Sequence, residues 1–339
     1  MSYIPSDDRF CLSNISKYRN EIYGICILWI MLFHSYLMPA PWYPPCSYLM
    51  KYGNMGCDVF YVCSGIFLYY SFSHDQHLGS YYRKRLSRLY IPTLLINTLY
   101  WLHLFLSSRI DTAGFIGRLL MIQFWINGDQ QIWFLSNLLP LYLLYPVVYN
   151  ILYRKPDDTR YLLVCGCVLI LITVLGTFLL RHFHSTTYQM IEIGLTRWPV
   201  FLMGCMLGRA VYERKSIPRI CGPVSAVCFI VVLVILNLRV LHNIYIRYFY
   251  AFGGLSALFL FTWMLDLIHW EPLHRFLSFF GKLSIHLYLS HMLLQRLYHY
   301  TSFNVTPRLR YWFCIILLSI PPSLLVRNIE NRIRSLILK

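Results

Sequence analysis

Long apolar runs separated by short polar loops dominate the chain, and their lengths predict its elements. A helix crosses the ~30 Å hydrocarbon core of a bilayer in about 20 residues, so uncharged runs near that length read as spans. Six runs approach or exceed it without Asp, Glu, Lys or Arg: 89–108, 132–153, 161–180, 220–238, 248–265 and 311–326. Two more, 22–38 and 56–73, join them, the second interrupted only by Asp58. Shorter uncharged stretches within 198–212 and 277–298 complete the set. The expectation is an all-α, polytopic membrane helix bundle of about ten transmembrane helices. Loops are short throughout, so residues 1–339 read as a single integral-membrane domain with no separate soluble domain. The first run is too long for a cleavable signal, and no small-residue cleavage site follows it.

Composition agrees. The chain is 58% hydrophobic and 13% charged, about half the charged fraction of an ordinary soluble protein. A net charge of +16 would suggest nucleic acid in a soluble chain, but its placement points elsewhere. With the N-terminus inside, cytoplasmic loops hold 20 of the 30 Lys and Arg residues. This bias follows the positive-inside rule, places both termini in the cytoplasm and argues against a nucleic-acid partner. The 11 cysteines form no CxxC pair and mostly lie inside apolar runs, where they read as small buried hydrophobes. Pro140 and Pro146 inside the fourth run predict kinks, tolerated where neighbours re-satisfy the freed carbonyls. The stretch Phe115–Trp125 is half the length of a span and is expected to lie along the interface.

Against this background His34 stands out. At ~1.5 Å per residue it lies about 18 Å above Ile22, slightly past the membrane centre. An ionisable group there is costly and makes a candidate functional site, the alternative being a packing histidine bonded to a backbone carbonyl; imidazole takes and returns protons near neutral pH. Asp58 opens the second span at a similar depth. It is a candidate to orient His34, the alternative being a cap on its own helix. Arg85 and Arg88 are three apart and share a helix face, which suits a paired clamp on phosphate oxygens. The alternative is a topogenic cluster meeting anionic headgroups. Arg19 could join the same patch. His286 and His291 sit about 140° apart around a helix and so do not form a two-histidine metal site. No metal is expected. The outer segment Pro39–Pro45 reads as interfacial anchoring, with sugar stacking as the alternative.

These pieces resemble the acyltransferase 3 family of multi-pass membrane acyltransferases over nearly the whole chain. Arg19-Asn20-Glu21-Ile22-Tyr23-Gly24 with Leu28 to Ser35 is similar to the family's first helix and its essential histidine. Gly56-Cys57-Asp58-Val59-Phe60 through Ser64-Gly65 resembles its second helix, and Arg85-Leu86-Ser87-Arg88 its R-x-x-R segment. Trp133-Phe134-Leu135, Arg197 to Gly208 and Leu283 to His291 fit later helices. One departure is Tyr23, where many members carry arginine; Arg19, one turn earlier, could stand in. The resemblance implies an O-acyltransferase in the bacterial inner membrane. Acetyl would pass from cytoplasmic acetyl-CoA to a hydroxyl of an envelope polysaccharide or lipid-linked sugar. His34 and Asp58 would serve catalysis, and Arg85, Arg88 and Arg19 would hold the donor. A transporter or flippase for an envelope lipid or sugar is the competing reading, and it predicts an internal repeat that is not evident.

Overall fold

The computed structural model describes residues 9–36, 44–238, 240, 243–298 and 308–338; the segment 39–43 of the expected aromatic anchor lies outside them. The chain begins with β1 (Arg9–Cys11) and the short α1 (Asn14–Lys17), then α2 (Arg19–Tyr36), α3 (Pro44–Lys51), α4 (Met55–His74) and α5 (Leu78–Leu106). Two small helices, α6 (Thr112–Leu119) and α7 (Gln123–Asn127), lead to α8 (Trp133–Leu152), α9 (Thr159–Phe183), α10 (Ser185–Leu195) and α11 (Trp198–Tyr212). After β2 (Ser216–Pro218) come α12 (Cys221–Asn237), α13 (Asn243–Leu267), α14 (Glu271–Lys282), α15 (Ser284–Tyr298) and α16 (Arg308–Ile337). β1 and β2 pair antiparallel, with Phe10 opposite Ile217. The N-terminal segment and the loop after α11 therefore occupy the same end of the bundle.

Seven spans among the described residues are long and apolar enough to cross a membrane. They are α4, α5, α8, α9, α10 with α11, most of α13 and most of α16. The other expected spans fall short of that length or apolarity among the described residues. α12 has 17 residues, and α2 carries Arg19 and Glu21 in its first turn. The expected span 277–298 is broken at Leu283 into α14 and α15. Conversely, the last helix runs well past residue 326 to Ile337. The stretch around Phe115–Trp125 forms α6 and α7, separated by a turn in which Met121 takes a φ of 59°. α9 is the most lipid-like element. Leu171, Ile172, Leu175 and Leu179 are each at least half exposed, a face that only hydrocarbon solvates well.

Glycines set the closest helix contacts. α4 and α11 lie backbone to backbone, because a Cβ on Gly65 would strike Phe201 and Cys205, and one on Gly204 the Val62 carbonyl. Small residues allow such approach in membranes, where dispersion replaces the hydrophobic effect. α2 and α14 meet in the same way through Gly24 and Gly281. The two prolines of α8 are also accommodated as expected. Pro146 cannot donate to the Tyr142 carbonyl, and the Tyr81 hydroxyl does so instead at 2.9 Å. Pro140 likewise frees the Ser136 carbonyl, which accepts from the Trp125 indole at 3.0 Å.

Candidate active site

The first turn of α5 is fastened to the end of α4. Asp75 accepts from the His77 amide at 3.0 Å and the Ser80 hydroxyl at 2.8 Å, and faces Lys84 at 3.6 Å. The His77 amide bond, then Ser80 and Lys84, hold this exposed carboxyl below the usual range. The His77 ring also accepts from the Ser80 amide and caps α5. This turn brings Arg85 back along α4, where its guanidinium donates to the Ser71 hydroxyl.

Arg85 and Arg88 then open onto a cavity between α2, α4, α5, α8 and α15. Arg19 lines the same cavity, its guanidinium 4.2 Å from the Phe67 ring and 5.4 Å from that of Tyr23. The three expected arginines thus converge although they come from two helices. Tyr23, which occupies the place of the familiar arginine, lines the wall beside Arg19. Along α2 the lining residues are Arg19, Tyr23, Ile27 and Ile30, so the cavity follows that helix for about 16 Å. Its other surfaces include Phe60, Ser64, Leu138, Tyr142 and Tyr288.

His34 lies one turn beyond Ile30. Its Nδ1 is 2.8 Å from Nε2 of His291 on α15, and the two rings stack with centroids 5.0 Å apart. The Tyr288 ring, which lines the cavity, is 5.7 Å from that of His291. His34 is half-buried, whereas His291 is buried. The histidine pair therefore sits past the end of the cavity opposite the arginines.

Asp58 does not take the place expected beside His34. The side of α4 facing α2 is that of Gly56, which abuts Cys26 and Ile30. Two residues further on, Asp58 points some 200° away around the helix. There its carboxylate meets Arg197, with Nε 3.5 Å from Oδ1, and both side chains are at most 2% exposed. Arg197 also donates to the Ile193 carbonyl at 2.6 Å and lies 4.9 Å from the Trp133 ring. Arg197 itself is buried, at 1% exposure.

The spacing of His291 from His286 says nothing about its partner on another helix, His34. His286 has its own partner, Glu330 of α16, at 2.7 Å. That contact exists only because α16 extends past residue 326.

No individual curated protein and no solved structure matches the chain. The acyltransferase domain that defines the acyltransferase 3 family does match it, over residues 24–327, and the chain belongs to that family.

Proposed function

We propose that this membrane acyltransferase transfers acetyl from acetyl-CoA to a hydroxyl of an envelope polysaccharide or a lipid-linked sugar. The supporting observation is the single cavity that carries Arg19, Arg85 and Arg88 and runs along α2 toward His34. Guanidinium groups bind diphosphate oxygens through paired, charge-assisted hydrogen bonds. Fifteen residues of α2 separate Arg19 from His34, about 22 Å. A donor held at the arginines would extend its pantetheine arm along the cavity and bring the thioester to the histidine. With the arginines on the cytoplasmic side of the inner membrane, the acceptor enters from the opposite side.

The chemistry needs one base. His34 takes the proton from the acceptor hydroxyl as its oxygen attacks the thioester carbon. The tetrahedral intermediate collapses with cleavage of the C–S bond. The departing thiolate receives that proton from His34, giving CoA-SH and the O-acetyl ester. Asp58 contributes away from the reacting atoms, by holding Arg197 and the start of α11 against α4.

Purified protein in lipid vesicles, supplied with radiolabelled acetyl-CoA and envelope glycan, tests the reading. Arg85→Ala combined with Arg88→Ala should raise the KM for acetyl-CoA at least tenfold. An unchanged dependence on donor concentration would remove the arginines from donor binding.

A further inference from the structure

The histidine partner carries an inference that rests on the reading of His34 as the base. The second nitrogen of His291, Nδ1, lies 2.8 Å from the Leu287 carbonyl oxygen one turn back on α15. A carbonyl can only accept, so this nitrogen bears the hydrogen. A neutral imidazole carries one N–H, which leaves Nε2 of His291 with a free lone pair. That lone pair faces Nδ1 of His34 at 2.8 Å, and the proton between them must belong to His34. Its own Nε2 is then unprotonated.

We infer that His291 is a positioning residue that holds His34 in its Nδ1–H tautomer and so presents Nε2 as the proton acceptor. The opposite arrangement needs His291 doubly protonated. At 1% exposure, and with the carboxylate of Glu330 engaged by His286, that cation would be buried without a counter-charge, at a cost of several kcal/mol. α15 is held in turn by α16, where the Ser323 hydroxyl donates to Ser290 at 3.2 Å.

The choice of a neutral partner has a physical reason. A carboxylate beside His34 would place a permanent charge in a low-dielectric site, costly inside a membrane. Two neutral imidazoles carry none at rest. Charge arises only when His34 takes the hydroxyl proton, and the His291 lone pair then stabilises the imidazolium. The interaction thus strengthens as the transition state forms, which is where it accelerates the reaction. The one nearby carboxylate on α4, Asp58, is neutralised by Arg197.

Full-length protein with ¹⁵N-labelled histidine in lipid nanodiscs tests the inference without reference to activity. Ring-nitrogen NMR signals of His34 are identified by their loss in His34→Gln. The expected result is a protonated Nδ1 and a bare Nε2 on His34, and a shift toward Nε2–H in His291→Leu. A wild-type His34 carrying its proton on Nε2, or a doubly protonated His291, overturns it. Kinetics supply the second arm. His291→Leu should lower kcat by at least ~100-fold, the scale of general-base catalysis, with an unchanged KM for acetyl-CoA. His291→Gln, whose amide oxygen accepts from His34, should regain at least ~10-fold of that loss. Full kcat in His291→Leu would also overturn the inference. The expected tautomer in a wild type that transfers no acetyl would instead overturn the acetyl-transfer reading and leave the tautomer assignment standing.

Discussion

Breaking the Asp58–Arg197 pair on one side should destabilise the bundle severely, and replacing both partners should not. Both side chains are almost fully buried, with Nε 3.5 Å from the carboxylate. Removing one member of such a pair leaves an uncompensated charge and costs about 3–5 kcal/mol, whereas a well-packed apolar pair is often neutral or better. Against a total stability of roughly 5–15 kcal/mol, either Asp58→Leu or Arg197→Met alone should remove about a fifth or more. Combining Asp58→Leu with Arg197→Met should return the protein to within about 1 kcal/mol of wild type. Thermal unfolding of the four proteins in one detergent, completed as a double-mutant cycle, measures the coupling. The same set separates an anchor from a catalytic acid, since the folded double variant should keep most acetyl transfer. Additive losses with no coupling would refute the buried-pair argument. A stable but inactive double variant would return Asp58 to the chemistry.

Other consequences are simpler to measure. Tyr81→Phe strands the part-buried Tyr142 carbonyl freed by Pro146 and should cost about 1 kcal/mol; an unchanged unfolding midpoint would contradict that role. Gly204→Leu must push α11 away from the Val62 carbonyl and should abolish the folded protein in size-exclusion profiles, while Gly176→Ala, with nothing within 4 Å, should be tolerated or slightly stabilising. Asp75 has its folded pKa held below the unfolded value of about 3.9. Its contribution is therefore complete above that value and is lost as pH falls through the folded pKa. Amide exchange at 77–81 should show that loss in wild type relative to Asp75→Asn, and identical acid profiles would refute it.

The two kinds of information in the chain were legible to different degrees. Most spans follow from apolar run length alone, because a bilayer leaves few alternatives to a helix. The Arg85–Arg88 pair was readable too, since residues three apart share a helix face whatever surrounds them. Depth placed His34 and Asp58 at one level, but depth fixes neither rotation nor neighbours. Two residues of register sent Asp58 to Arg197, which lies 139 positions away in sequence. His291 reached His34 across 257 positions, a contact that spacing within α15 cannot reveal. Helix ends misled for a related reason: a charged residue such as Glu330 looks like a loop until a buried partner on another helix is known.

In the proposed reaction His34 drives acetyl transfer to an envelope glycan. Mass spectrometry of envelope glycans from cells expressing the wild type, His34→Ala or neither tests it most directly, with membrane levels of both proteins matched. O-acetyl groups should be present on the glycan with the wild type and missing in the other two. The same acetylation in all three, or full acetylation with His34→Ala, would remove His34 from the reaction.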